Sequence, residues 1–196
     1  NYDVAYANLG AVLKELGKFN EAADACKKAI LIEPNNSVAY SNLGAALKEL
    51  GQFEETIDAC KKAIAVEPKN FNAYHNLALA LQELGEIKKA ISCYEKLSKI
   101  QPNPSNAYKN LGELNLMLGK KEEAIKYYKL AIQYDPENLL HYYALSDLDK
   151  KIFTEREKPE FTGDDLKKRQ YLSGLSIEDL ELILHPMAEE GKEPSG

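Results

Sequence analysis

The sequence predicts an all-α solenoid of four helical hairpins, closed by a further helix and followed by a short helical tail. Three observations support this fold class. The motif AYANLG at residues 5–10 returns 34 residues later as AYSNLG, and then as AYHNLA and AYKNLG at the same interval. A glycine and a proline return at that interval too. Within each unit the apolar residues follow helical spacing, so the chain is typical of stacked helical repeats.

Four columns of residues carry the repeat, and no insertion interrupts them. The columns are Tyr6, Tyr40, Tyr74, Tyr108 and Tyr142; Leu9, Leu43, Leu77 and Leu111; Gly17, Gly51, Gly85 and Gly119; and Pro34, Pro68, Pro102 and Pro136. Independent columns in one register rarely agree by chance. We therefore expect four units, at about 3–36, 37–70, 71–104 and 105–136.

Each unit begins with a helix whose core stripe follows from its spacing. In the second unit this stripe is Tyr40, Leu43, Gly44 and Leu47, at intervals of three and four residues. Gly51 ends the helix, because a residue without Cβ adopts the positive φ that is common just past a helix C-terminus.

A second helix follows that glycine and ends before Pro68. Its apolar series in the second unit is Phe53, Ile57, Cys60, Ala63 and Ile64. A hairpin of this size cannot bury its apolar face alone, so stacked neighbours supply the core.

The columns resemble the tetratricopeptide repeat over residues 3–136. The resemblance lies in the Leu-Gly pair, the mid-repeat glycine, the terminal proline and a small residue early in the second helix. Residues that fit this last position are Ala22, Ala90 and Ala124; residues that depart from the pattern are Thr56, Cys26, Cys60 and Ala78. The resemblance implies a right-handed superhelix whose first helices line a concave groove.

After the repeats we expect three further segments, which are a capping helix at 137–153, a linker at 154–163 and a helical tail at 164–196. The capping segment keeps Tyr142 and Leu145, but Phe153 stands where the mid-repeat glycine would come. In the tail, Leu180, Ile183 and Leu184 make the apolar face of a short helix, which requires either the last repeat or another molecule as a partner.

Residues 165–196 also resemble a segment of the glutamate synthase large subunit, most specifically in PMAEEGKEP. This segment carries none of that enzyme's amidotransferase, flavin or iron–sulfur residues, so the resemblance implies no activity. Its position behind a repeat array is consistent with a fusion or an engineered junction.

Composition argues against several function classes. The chain is 44% apolar, and no stretch resembles a membrane span or a secretory leader. Its three cysteines have no disulfide or zinc spacing, which favours a reducing, cytoplasmic setting. Most of the net charge of −6 falls in residues 154–196, which carry 6 basic and 11 acidic side chains. Without a basic stripe, we expect neither nucleic acid nor membrane as a partner.

No group of residues resembles an active site. His75, His141 and His185 are isolated, and Cys26, Cys60 and Cys93 lie in apolar segments, with Cys93 one position off the core stripe. Packing or solvent roles are expected for all six. We expect no catalytic residue, no metal site and no cofactor.

The asparagine of each repeated motif forms a fifth column of Asn8, Asn42, Asn76 and Asn110. At about 100° per residue, Asn42 lies about 200° from Tyr40 and thus opposite the core. Asparagine there costs about 0.5–0.7 kcal/mol relative to alanine. A short amide offers donors and acceptors that suit the backbone of an extended peptide.

This column resembles the asparagine ladder in the repeats of O-linked N-acetylglucosamine transferases. The candidate groove also includes Asn72, His75, Asn106 and Lys109 on the same side. Uncharged residues at other groove positions, such as Ala7 and Ala45, argue against the carboxylate clamp of chaperone-binding relatives. Inheritance by duplication is the alternative, because the first two units are near copies.

We predict a non-enzymatic scaffold that binds an extended peptide or protein segment in this groove. Two alternatives remain open. The chain begins at Asn1 rather than Met, which favours a substrate-recognition arm of a larger enzyme such as a glycosyltransferase or sulfotransferase. The tail favours a self-associating assembly module.

Overall fold

A computed structural model of the protein describes residues 2–146 and residue 148. In these residues the chain is helical apart from short connections. The helices are α1 (Tyr2–Glu15), α2 (Phe19–Ile32), α3 (Ser37–Glu49), α4 (Phe53–Val66), α5 (Phe71–Glu83), α6 (Ile87–Ile100), α7 (Ser105–Met117), α8 (Lys121–Tyr134) and α9 (Leu139–Ser146). The predicted all-α repeat fold is confirmed for this part of the chain.

Consecutive helices pair as hairpins and the hairpins stack in chain order. Helix α1 pairs with α2, α3 with α4, α5 with α6, and α7 with α8. The second helix of each hairpin also packs against the first helix of the next hairpin. The first helices α1, α3 and α5 contact one another in sequence, so they form a continuous layer.

A left-handed glycine ends each first helix, as predicted. Gly51 has a φ of 72°, and the other three glycines of its column have φ values of 72–73°. The Gly51 N–H donates to the Lys48 carbonyl at 3.0 Å, and the Gln52 N–H donates to the Leu47 carbonyl at 2.9 Å. These bonds satisfy carbonyl groups at the helix end and direct the chain into the second helix.

Asparagine caps, which the sequence analysis missed, begin two of the first helices. Asn36 Oδ1 accepts from the Ala39 N–H at 2.8 Å, and Asn70 Oδ1 accepts from the Ala73 N–H at 3.0 Å. Both asparagines follow the repeated proline by two residues, so the Pro-x-Asn spacing was the signal for them.

The two helices of a repeat approach closely at the glycine of the Leu-Gly pair. A Cβ built on Gly44 would lie 2.7 Å from Cys60 Sγ. A Cβ built on Gly112 would lie 2.8 Å from the Tyr128 ring. At Gly44 and Gly112 the opposite side chain already fills the space that a Cβ would occupy.

All three cysteines are buried in the helical core, including Cys93. Burial raises the pKa of Cys26 to about 11 and that of Cys60 to about 12. Burial also raises the pKa of Cys93, although the charge of Lys96 opposes it. The thiols are therefore protonated at neutral pH and act as small apolar side chains.

The start of the predicted capping segment is α9, in which His141 and Leu145 are buried. Residues 147 and 149–153 of that segment lie outside the described residues. The same is true of the linker, of the tail with Leu180, Ile183 and Leu184, and of His185. The predicted boundaries beyond α9 stay predictions.

We expect Gly112→Ala to destabilise the protein by about 1–2 kcal/mol. The new methyl group meets the buried Tyr128 ring, and this overpacking outweighs the roughly 1 kcal/mol that alanine gains over glycine in a helix. Urea denaturation followed by circular dichroism measures the change.

A double-mutant cycle with Tyr128→Leu provides the control. Because leucine removes the ring atoms that oppose the methyl group, the double variant should lose less stability than the sum of the single losses. A Gly112→Ala variant as stable as the wild type would contradict the close-packing argument.

Candidate functional site

A cavity of about 390 Å³ lies along the first helices α1, α3 and α5. Four predicted groove residues line it, namely Asn42, Asn72, His75 and Asn76. The second-repeat positions Ser41, Ala45 and Glu49 also line it, on the side that we predicted from the helical angles. The cavity thus extends across three repeats.

The other four predicted residues are not among those that line this cavity. Asn8 and Asn106 are exposed, whereas Lys109 and Asn110 are half-buried. Lys109 Nζ forms an ion pair with Glu113 Oε1 at 3.3 Å on the same helix. A single groove containing all eight residues stays a prediction.

Asn42 joins two neighbouring repeats. Its Nδ2 donates to the Ala7 carbonyl oxygen of α1 at 3.1 Å. This contact uses one N–H of the amide and leaves Oδ1 and the second N–H outside the bond. Asn76 is only 8% exposed, so it lies deeper than a solvated groove face would place it.

Ala7 does not lie in the groove, contrary to our prediction. It is buried and packs with Ala29 and Ala39 in a small cluster between the first two repeats. Its position on α1 is covered by α2 and by α3, and a helical angle calculated for one isolated helix does not include these neighbours.

Two lysines that the predicted groove did not include also line the cavity. Lys14 and Lys48 both line it, and each Nζ lies 2.7 Å from the carboxylate of the next residue, Glu15 or Glu49. The paired charges compensate each other at this wall. The two lysines could have been found in the sequence, because they are 34 residues apart and so occupy one column of the repeat.

Phe19 is the aromatic residue among those that line the cavity, and the sequence analysis did not include it. It is the first residue of α2 and is half-buried. Phenylalanine opens α4 at the same repeat position, so the column was visible in the sequence although its orientation was not.

His75 lies in the cavity wall contributed by α5. Its ring packs edge-on against Tyr94, with the ring centroids 6.1 Å apart. Burial lowers the pKa of His75, and the charges of Lys48 and Lys109 lower it further. At neutral pH the imidazole is therefore uncharged and offers one donor and one acceptor.

His141 is fully buried in α9 and is not among the residues that line the cavity. Neither of its ring nitrogens has a hydrogen-bond partner within the described part of the chain. Burial lowers its pKa, and the nearby Asp135 carboxylate opposes that shift. This environment fits the predicted packing role.

None of the described helices combines the length and apolarity needed to cross a membrane. Among the same residues, no three His, Cys, Asp or Glu side chains form a group that could hold a metal ion.

Comparison with protein families identifies the repeats. Models described as tetratricopeptide repeat match residues 4–36, 37–70 and 70–137, which together span more than half of the 196-residue chain.

Solved structures share this fold. MamA residues 41-end from Desulfovibrio magneticus RS-1 has a TM-score of 0.69 and 21% identity, with 92% of this chain and 96% of MamA covered. PilF of Pseudomonas aeruginosa has a TM-score of 0.71 and 17% identity, with 95% and 93% covered. The first repeat domain of Spaghetti (RPAP3), bound to the HSP90 peptide SRMEEVD, has a TM-score of 0.58 and 24% identity, with 60% and 96% covered.

A curated relative also matches part of the sequence. The glutamate synthase [NADPH] large chain of Azospirillum brasilense is 44% identical over 52 residues, which are 26% of this chain and 3% of that protein. The likeness to glutamate synthase that the sequence analysis predicted is therefore confirmed. The chain spans only a small fraction of that enzyme.

We expect the protein to lose stability as the pH falls below about 6.5. The pKa of both His75 and His141 lies below the ordinary value of 6.5 in the folded state. The unfolded chain therefore binds protons at a higher pH than the folded chain, and acidification favours unfolding. Thermal melting between about pH 7.5 and 5.5 measures the slope.

The variant His75→Gln/His141→Leu should reduce this pH slope, because neither replacement titrates in that range. Lys69→Gln is the control, since Lys69 is exposed and lies at neither site. An unchanged slope in the double variant would show that other groups cause the acid sensitivity.

Proposed function

The chain belongs to the tetratricopeptide repeat family, and from this premise we propose that it is a non-enzymatic scaffold for protein interaction. The ligand is an extended peptide or protein segment that lies in the cavity along α1, α3 and α5. The observation that carries the proposal is the row of Asn42, Asn72, His75 and Asn76 in that cavity.

The chemistry of this wall suits a peptide backbone. Its amides and neutral imidazole both donate and accept hydrogen bonds, as the N–H and C=O groups of a peptide do. The two Lys-Glu pairs make the wall polar, and their opposite charges largely cancel, so the wall carries little net charge. Phe19 and the methyl group of Ala45 add apolar surface for ligand side chains.

The spacing of the first helices favours an extended ligand. Packed helices lie about 8–10 Å apart, and an extended chain advances about 3.3 Å per residue. A segment crossing the three helices therefore meets one set of polar side chains about every three residues. A helical ligand rises only about 1.5 Å per residue, and its backbone N–H and C=O groups already bond to one another within the helix.

A relative of the same fold supports this class of ligand. The RPAP3 repeat domain is bound to an HSP90 peptide. At 24% identity we carry over only the general idea that such a fold accommodates a peptide. In the present chain the Lys14 and Lys48 ammonium groups are already paired with carboxylates, so a terminal carboxylate is not the ligand that we propose.

A peptide library tests the proposal. Peptides of about 12 residues with unbiased sequences are screened against the full chain, and the strongest binders are measured by fluorescence anisotropy. We expect Asn72→Ala/His75→Ala to raise Kd by at least about tenfold, or about 1.4 kcal/mol. These positions are preferred because Asn42 also bonds to Ala7 and its replacement would disturb the repeat stack.

The matched control is Asn20→Ala, since Asn20 is exposed on α2 and is not among the cavity residues. It should leave Kd unchanged. If Asn72→Ala/His75→Ala leaves Kd unchanged but Asn20→Ala raises it, the peptide binds outside the cavity. A library without binders would contradict the scaffold proposal.

A further inference from the structure

The position four residues before each repeated asparagine is exposed in all four repeats. This column, called here the groove column, consists of Val4, Val38, Asn72 and Asn106. Asn72 lines the cavity along the first helices. Because neighbouring repeats leave the column uncovered in the described part of the chain, its side chains are accessible to a ligand in every repeat.

The first two members of the groove column are exposed valines. Val4 is 47% exposed and Val38 is 51% exposed. Valine has a lower helix propensity than lysine, glutamate or glutamine, so it is an unfavourable choice for a solvated helix face. Val38 has one repeat before it and another after it, so its exposure is not a property of a chain end. The two valines therefore offer apolar surface to a ligand.

The contact between neighbouring first helices sets a period for any ligand that crosses them. Helices α1, α3 and α5 contact one another in sequence, and packed helices lie about 8–10 Å apart. A β-strand returns a side chain to the same face every two residues, or about 6.6 Å, and its third residue points to the opposite face. A polyproline II helix has three residues per turn, so the same side returns after about 9.3 Å. The period of the groove column therefore matches polyproline II.

The polar groups of the cavity suit the backbone of such a segment. Polyproline II has no internal hydrogen bonds, so its carbonyl groups are available to donors. Asn72 and His75 supply donors from α5, and Asn42 keeps one N–H outside its bond to Ala7. Phe19 adds an aromatic ring to the wall, and Pro-rich segments dock in aromatic-lined grooves.

The charges beside the cavity are already compensated. The Lys14 ammonium group pairs with the carboxylate of the next residue, and the Lys48 ammonium group does the same. The wall therefore offers no field of one sign that would attract a strongly acidic or strongly basic segment. An uncharged segment is the better match in charge.

We propose that the ligand is an uncharged polyproline II segment of another protein with an apolar side chain at every third position. This inference rests on the proposed function and names the ligand class of that same site. One apolar side chain packs against Val4, and the next on that side, three residues later, packs against Val38. The following turn reaches Asn72, whose amide bonds to the ligand backbone. Proline suits the positions between, because its fixed φ favours this conformation.

A pair of peptides with the same composition tests the spacing. The first consists of four copies of Val-Pro-Ala, and the second has its valines at every second position with the prolines gathered at one end. Both have blocked termini and are measured by fluorescence anisotropy against the full chain. The first should bind with a Kd at least about tenfold lower. Exchange of its prolines for glycine should raise Kd, because a Gly-rich chain does not hold the polyproline II conformation.

The variant Val4→Asn/Val38→Asn tests the groove column. It should raise the Kd of the Val-Pro-Ala peptide at least about fivefold, because two apolar contacts are lost. The matched control is Val66→Asn, since Val66 is a 40% exposed valine at the end of α4 and outside the groove column. The control should leave Kd unchanged. An unchanged Kd in Val4→Asn/Val38→Asn overturns the inference.

The unbiased library separates this inference from the proposed function. If library peptides bind through Asn72 and His75 but the Val-Pro-Ala peptide binds no more tightly than its comparison peptide, the polyproline II inference is overturned and the peptide scaffold stands. If neither the library nor the designed peptides bind, both proposals fail.

Discussion

The close approach of two helices at the small residue after the repeated leucine constrains how the two helices of a hairpin pack. The opposite side chain is a cysteine beside Gly44 and a tyrosine beside Gly112, and either one occupies the space that a Cβ would need. The third repeat instead combines Ala78 with a fully buried Tyr94. Since the first and second helices of each hairpin are held together here, the layer of first helices that lines the cavity depends on these contacts.

Features that depend on local chemistry could be predicted from the sequence. Helix spacing, the left-handed glycine at Gly51 and the buried cysteines all follow from short-range rules. The errors arose where two repeats meet. A calculation around one helix axis places Ala7 in the groove, but α1 is covered by its own partner helix and by α3, so Ala7 is buried. That Lys48 lines the cavity likewise depends on the placement of the neighbouring helices, which a calculation on one helix does not include.

In the asparagine column, Asn42 has a structural role as well as a proposed binding role. The bond from Asn42 to the Ala7 carbonyl contributes about 1 kcal/mol by the usual measure of such bonds. That gain exceeds the cost of about 0.5–0.7 kcal/mol for asparagine in a helix. Asn8, in contrast, is exposed on the first repeat, and Asn76 is nearly buried. One column therefore meets several environments, and inheritance by duplication stays an alternative explanation for the recurrence of the amide.

The column that begins with Leu9 shows how a residue of a repeat fold becomes part of the core. In a solenoid each interface adds a similar term to the free energy of unfolding, so a residue belongs to the core only when a neighbour covers it. Leu43 has such a neighbour and is buried, whereas Leu9 carries the same side chain on an open face.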